Sequence, residues 1–225
     1  HLTVLLGRQA VLHVFRVASG LDSWIIGESE ILGQVKQAYQ AALALGFTGR
    51  ALNKVFQRAA SAGKYVRAAT GLQNGIHSIG GAAALAARRV LGPGAGGVVV
   101  VFGAGRAAEA VVRHLAAKGP GRIIVANRTL ERAVELAAAL GGEAVGFEEG
   151  LKRLAEADAA VFSTSSEKPL LRAAALAGLR DFRARPLFLI DLGVPRNVAA
   201  DCSELNGVHL HDLARLHEMV RSSME

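Results

Sequence analysis

The chain has 225 residues, 51% of them hydrophobic, and carries a formal net charge of +7. That length can bury one sizeable core and a second, smaller unit. A single cysteine excludes a disulfide framework and fits a reducing compartment, and no apolar run is long enough to span a bilayer. The first residues do not read as a signal peptide, so a cytoplasmic location without a membrane partner is expected. The chain starts at His1 without a methionine and stops at Glu225 inside a helical pattern (Leu213, Leu216, Val220), as a piece of a longer protein would.

Helical periodicity runs from Gln9 to Gly20, from Glu30 to Leu45 and from Ala51 to Ala69. The last of these has an apolar face of Leu52, Val55, Phe56, Ala59 and Val66. Turn signals at Gly46 and Gly49, and again over Gly71 to Gly75, punctuate this part. A further helix, Ser78 to Val90, leads through Gly92-Pro-Gly-Ala-Gly-Gly97 to the most informative stretch, Val98-Val-Val-Val-Phe-Gly-Ala-Gly-Arg-Ala-Ala-Glu109.

Four valines and a phenylalanine predict a strand buried on both faces. The turn Gly103-Ala104-Gly105 follows directly, then Arg106, Ala107 and Ala108, and Glu109 to Leu115 opens a helical pattern. A strand feeding a glycine turn that opens a helix is a pyrophosphate site. Gly103 permits the tight turn, Gly105 lets the backbone approach the phosphates, and the helix start offers free N–H groups. Ala108 stands where a third glycine would sit, small enough for close helix–strand packing.

The next strand, Arg122-Ile-Ile-Val-Ala126, ends in Asn127-Arg128-Thr129. An NAD site usually places an acid there for the ribose 2′-hydroxyl; an amide, a guanidinium and a hydroxyl favour a 2′-phosphate, so NADPH is the expected cofactor. Asn127 and Thr129 are also suited to capping the helix that starts near Leu130. Beyond it, Ala144-Val145, Ala159-Ala-Val-Phe162, Pro186-Leu-Phe-Leu-Ile190 and Val208-His-Leu210 are candidate strands alternating with helices. That alternation predicts a parallel, doubly wound Rossmann-like α/β sheet preceded by a mainly helical region. The expected division is a helical part over 1–75, an NADPH-binding domain over 76–210 and the start of a linker helix over 211–225. Ser163, Thr164 and Ser165, and Asp191 to Pro195, follow strands, where ligands bind in such sheets. Asp158 reads as the start of its strand rather than a chemical group. No metal is expected.

Charge is uneven. Residues 1–75 hold 8 Lys/Arg against 3 Asp/Glu, and no acid occurs between Glu30 and Glu109 while nine bases do. Arg50, Lys54, Arg58 and Lys64 fall on one helical face opposite the apolar one, either a solvated face or a surface suited to a phosphate backbone.

The segments Arg16-Val-Ala-Ser-Gly-Leu-Asp-Ser23 and Ile25-Ile-Gly-Glu-Ser-Glu-Ile-Leu-Gly-Gln-Val-Lys36 resemble the signature of the glutamyl-tRNA reductases. Leu52-Asn-Lys-Val-Phe-Gln-Arg-Ala59, Ala126-Asn-Arg-Thr129, Phe162-Ser-Thr164 and Leu189-Ile-Asp-Leu-Gly-Val-Pro-Arg-Asn197 continue the resemblance in order. It implies reduction of glutamyl-tRNA by NADPH to glutamate-1-semialdehyde in tetrapyrrole (haem) synthesis, through a cysteine thioester. By position it places Ser23, Glu28, Ser29, Glu30 and Gln34 at the glutamyl substrate, and Gly103 to Ala108 on the NADP loop. It also implies a homodimer through a C-terminal domain that the helix from His211 begins, and a partner in the next enzyme of the pathway.

Three departures stand out. The family's nucleophile lies in a Thr-Cys-Asn-Arg block that residues 1–225 do not contain, and Cys202, in Ala200-Asp-Cys-Ser203, is not that residue. Eleven residues before Arg16, where the family usually has a histidine, stands Leu5; His13 matches a different histidine and is expected to pack or cap, and nothing assigns a role to His1. The family's Glu-Pro-Gln is Glu28-Ser29-Glu30, which sets a second carboxylate beside an anionic substrate. Two further readings stay open: a shikimate-dehydrogenase-like NADP oxidoreductase, which leaves residues 16–36 unexplained, and a non-catalytic cofactor- or tRNA-binding homologue. Catalytic residues are therefore unassigned.

Overall fold

Apolar side chains at helical spacing wind the first part of the chain into α1 (Gly7–Ala18), α2 (Ser29–Ala44) and α3 (Arg50–Ala69). The computed structural model describes residues 3–23, 28–70, 79–91, 96–118, 121–139, 141–179 and 185–221. It divides near residue 78 into two compact units. In the first, Ala18, Leu32 and Ala59 form a small core, with Val14, Phe15, Val35 and Ala60 packed around it. Helix α3 approaches the end of α1 at Gly63, where a Cβ would stand 2.3 Å from the Ala18 carbonyl oxygen, so only glycine fits the crossing. Leu52, assigned from its spacing to the buried face of α3, is 47% exposed.

The second unit begins with α4 (Ile79–Leu91) and runs β1 (Val98–Phe102), α5 (Arg106–Lys118), β2 (Arg122–Asn127), α6 (Leu130–Ala138) and β3 (Glu143–Gly146). It continues with α7 (Phe147–Arg153), β4 (Ala159–Phe162), α8 (Ala173–Leu176), β5 (Leu187–Asp191), a 3-10 turn over Ala200–Glu204, β6 (Val208–His211) and α9 (Leu213–Arg221). The six strands form one sheet in the order β3-β2-β1-β4-β5-β6, and every pair is parallel. This is the doubly wound Rossmann order, whose switch point lies between β1 and β4.

Strand periodicity sends alternate side chains to opposite faces. Val99, Val101, Ile123, Val125, Val161 and Ile190 face a core shared with α4, α5 and α6, into which Leu216 of α9 also inserts. Val98, Val100, Phe102, Ile124, Phe162 and Leu189 face the other core, built with α7 and the 3-10 turn. Phe102 and Phe162 are register partners across β1 and β4 and stack at 4.3 Å, with Phe147 of α7 edge-on to Phe102 at 5.4 Å.

The predicted strands and helices are all present, with ends shifted by up to a few residues. The glycine turns expected over 71–75 and 92–95, and Trp24 to Gly27 of the signature segment, lie outside the described residues, as does His1. Among the described residues no helix is long and apolar enough to cross a membrane.

Candidate functional site

Three strands deliver their carboxyl ends to one cleft. After β1 the chain turns at Gly103, whose φ of 109° is a left-handed conformation open mainly to glycine. Its N–H donates to the Ala126 carbonyl at 2.8 Å, and the Ser163 N–H donates to the Phe102 carbonyl at 2.9 Å, so the β1, β2 and β4 ends are stitched together. A Cβ on Gly103 would lie 2.2 Å from the Ser163 carbonyl oxygen, whereas one on Gly105 would meet nothing within 4 Å. Gly103 is thus fixed by its neighbours, and Gly105 opens onto free space at the start of α5.

The resulting cleft, of about 260 Å³, is lined by Gly103, Ala104, Gly105, Asn127, Arg128, Ser163, Thr164 and Ser165 among the residues expected from sequence. Arg132, Phe147, Ser166 and Leu170 line it as well and were not anticipated. Arg132 carries a signal that sequence could have offered: it sits one helical turn beyond the Asn-Arg-Thr block, and α6 begins in that block. Arg106 opens α5 without lining the cleft, Ala107 is half-buried, and Ala108 is fully buried in the core beneath β1. Thr129 takes the N-cap position of α6 but makes no side-chain cap bond and does not line the cleft. The Asn127 amide donates to the Thr129 carbonyl at 2.9 Å and so holds the Arg128 turn.

The floor of the cleft depends on a loop from farther along the chain. Asp191, at the end of β5, is buried, and its carboxylate accepts the backbone N–H groups of Gly193, Asn197 and Val198, each at 2.9 Å. The wholly buried Asn197 then accepts from Thr164. Asp191 and Asn197 therefore shape the serine-rich loop without lining the cleft themselves.

The donors suit a dinucleotide. An open glycine turn at a helix N-terminus provides backbone N–H groups for a pyrophosphate, and two exposed guanidinium groups at the β2 end provide charge for a further phosphate.

In the first unit, Ser23 donates its hydroxyl to the Gly20 carbonyl at 3.0 Å. Glu28 is buried at the N-cap of α2; burial foremost, and then the neighbouring Glu30 carboxylate, push its carboxyl above the ordinary range, while Arg67 opposes them. Arg67 of α3 donates from Nη2 to the Glu28 backbone carbonyl, and its buried Nε has no partner among the described residues. Sequence gave no reason to single Arg67 out. Gln34 is exposed on α2, Glu30 is half-buried, and Ser29 is placed as the first residue of that helix. Leu5 is half-buried.

His13 and Arg16 both reach Asp22, at 3.1 and 2.7 Å. Arg16, more than His13, holds the Asp22 carboxyl below its ordinary range. Asp158 accepts the Val98 N–H at 2.9 Å and binds Arg185 at 2.7 and 2.8 Å, so it ties β1 to the start of β4. Cys202 is fully buried in the 3-10 turn, and burial, reinforced by Asp201, pushes its thiol up to about 12, leaving it without nucleophilic character at neutral pH.

Residues 1–70 match the N-terminal domain family of glutamyl-tRNA(Glu) reductase. Residues 85–219 match the shikimate / quinate 5-dehydrogenase family. The chain is 42% identical over 225 residues to glutamyl-tRNA reductase of Solidesulfovibrio magneticus, covering 100% of this chain and 50% of that protein. It is 41% identical over 219 residues to the enzyme of Nitratidesulfovibrio vulgaris, covering 97% of this chain and 50% of the relative. The solved glutamyl-tRNA reductase from Methanopyrus kandleri aligns with a TM-score of 0.61 and 41% identity, over 97% of this chain and 55% of that one. The chain thus spans about half the length of the curated relatives it matches.

Proposed function

The chain belongs to the glutamyl-tRNA reductase family, and on that premise we propose that it serves the NADPH-dependent reduction of glutamyl-tRNA to glutamate-1-semialdehyde for tetrapyrrole synthesis. The observation that carries this reading is the cleft that gathers Gly103, Ala104, Gly105, Arg128 and Arg132 at the sheet's switch point. NADPH supplies the hydride that converts a thioester carbonyl to an aldehyde. Gly105 and the N-terminus of α5 bind the pyrophosphate. Arg128 and Arg132, with Asn127 holding the turn, bind the 2′-phosphate and favour NADPH over NADH. Ser163 and Thr164 orient the cofactor.

Ser23, Glu28, Ser29, Glu30 and Gln34 hold the glutamyl group. Burial raises the Glu28 carboxyl and so disfavours its charged form at the place proposed for an anionic substrate. The thiol comes from a Thr-Cys-Asn-Arg segment outside residues 1–225, since Cys202 is buried and unreactive. Attack of that thiolate on the aminoacyl ester would form the thioester and release the tRNA. Helix α9 begins the connection to a dimerisation part, and the protein acts as a homodimer in the cytoplasm, passing its aldehyde to the next enzyme.

Residues 1–225 alone should bind NADPH and fail to turn over glutamyl-tRNA. Joined to a Thr-Cys-Asn-Arg-bearing N-terminal segment, the protein should trap a covalent glutamyl adduct, visible by mass spectrometry, and consume NADPH. Failure of the joined protein to form the adduct would favour a second reading, a cofactor- and tRNA-binding homologue without catalysis. That reading is motivated by Leu5 and Glu30, which stand where the family resemblance places a histidine and a glutamine. A dehydrogenase acting on shikimate does not account for the match over residues 1–70.

A further inference from the structure

Five described arginines of the second unit form ion pairs: Arg113 with Glu109, Arg122 with Glu143 and Glu156, Arg153 with the same two acids, Arg185 with Asp158 and Arg196 with Asp212. Helix α3 instead carries a run of cations without such partners among the described residues. Arg50, Lys54, Arg58 and Lys64 are all exposed, and none forms an ion pair with a described residue. Arg50, Lys54 and Arg58 recur at every fourth position, so their charges climb one side of the helix about 6 Å apart. Like charges at that spacing weaken an isolated helix. A solvated face gains nothing from the arrangement, whereas a polyanion of regular spacing does.

An aromatic side chain completes the face. Tyr65 is 73% exposed, and its position on the helix lies between the directions of Lys54 and Arg58. The side of α3 that carries Ala59 and Gly63 is the one buried in the unit's core, so the cations and Tyr65 point away from it. Lys36 lies beside the stripe, in a groove between α2 and α3 where Tyr39 and Phe56 stack at 5.5 Å.

We propose that the exposed face of α3 is an RNA-binding surface: Arg50, Lys54, Arg58 and Lys64 neutralise successive phosphates of one strand, and Tyr65 stacks on an unpaired base. The proposal deepens the reading that the substrate is carried on tRNA and rests on it for the identity of the RNA. Phosphate contacts give affinity and register with little sequence information, and stacking on Tyr65 favours a region of the RNA that is not base-paired.

The test is binding of fluorescently labelled tRNA to the chain, followed by anisotropy over a salt series. The unmodified chain should show a log–log slope of roughly −3 to −4 if all four cations engage. Lys54→Gln with Arg58→Gln should flatten that slope by about 2. Tyr65→Ala should weaken binding by about 5- to 100-fold without altering the slope, and Tyr65→Phe should bind as the unmodified chain does. A fully paired RNA duplex should show the lysine–arginine effect and no Tyr65 effect. Helical circular dichroism and its thermal melt should be the same in every variant and report that the helical unit has folded, and NADPH affinity, measured by calorimetry, should be unchanged.

Variants that bind tRNA with unchanged affinity and slope overturn the surface and leave the proposed reaction standing. Salt-dependent binding that these substitutions abolish, in a protein that never reduces glutamyl-tRNA even when joined to the Thr-Cys-Asn-Arg segment, refutes the reaction and leaves the surface standing. No binding of tRNA by the unmodified chain, or a Tyr65→Ala effect equally large on duplex, also overturns the proposal.

Discussion

The side-chain oxygen of Asn197 accepts two hydrogen bonds from a single residue, Thr164, one from its backbone N–H and one from its hydroxyl, each at 2.9 Å. The two residues are 33 positions apart and belong to the loops that follow β5 and β4. One buried amide therefore sets the height of the serine-rich wall of the cleft, and Asp191 holds its residue in place by accepting the Asn197 backbone N–H.

Asn197→Ala should leave the Thr164 N–H without its acceptor. A fully buried donor so stranded costs about 1–3 kcal/mol, and half-buried Thr164 should sit at the lower end of that range. For a chain of this size each kcal/mol lowers Tm by about 2–4 °C. Thermal unfolding followed by circular dichroism should show that loss, and NADPH affinity should fall with it. Asn197→Asp keeps an acceptor oxygen and should be milder on both counts. A Tm equal to that of the unmodified chain would mean that Thr164 finds its partner elsewhere.

Two glycines of one turn should behave differently. Gly103→Ala puts a Cβ against the Ser163 carbonyl and forces a left-handed φ on alanine, so the protein should lose stability before its cofactor affinity can be judged. Gly105→Ala meets no neighbour, so Tm should hold, while the added methyl enters the space where a pyrophosphate would approach and NADPH binding weakens. Equal losses of Tm in the two variants would contradict this division of roles.

Cofactor preference should reside in the two arginines at the end of β2 and the start of α6. Binding should be at least about tenfold tighter for NADPH than for NADH, roughly 1.4 kcal/mol. Arg128→Glu should remove or invert the preference, and Arg132→Ala should reduce it. Calorimetric titration with both nucleotides decides the matter; equal dissociation constants in the unmodified chain defeat the assignment.

Cys202 should resist Ellman's reagent in the native protein near pH 8 and react once the chain is unfolded. Its thiol is raised from 9.0 to about 12, so between those values the folded state keeps a proton that the unfolded state has released. Stability attributable to this group is therefore full below pH 9 and declines as pH rises toward 12. Cys202→Ser should lessen that alkaline decline, and it should leave any covalent glutamyl adduct of the catalytically complete protein untouched.

Much of this was legible in the sequence because it is local. The run Val98 to Phe102 is apolar throughout since both its faces are covered, and Gly103-Ala104-Gly105 must turn before a helix can start. The alternation of such strands with helices gave the parallel sheet, and the strand ends gave most of the cleft's lining. Arg128 was readable as a lining residue because it stands just past the second strand, at a known distance beyond the glycines.

What the sequence could not show are pairings between residues distant along the chain. Asp158 and Arg185, Asn197 and Thr164, and Arg67 and Glu28 meet only after strands and helices have taken their order. Leu52 fits an apolar stripe by its spacing yet lies near half exposed, because periodicity gives the direction of a side chain and not whether a neighbour covers it. Cys202 differs from a reactive thiol by burial alone, and burial is a property of the packed core. Local propensity and period thus determined the elements and the turn that suits a dinucleotide. Only the tertiary structure decided which charges of the second unit are neutralised and which buried amide holds the wall of the cleft, because each depends on the strand order and register that bring distant residues together.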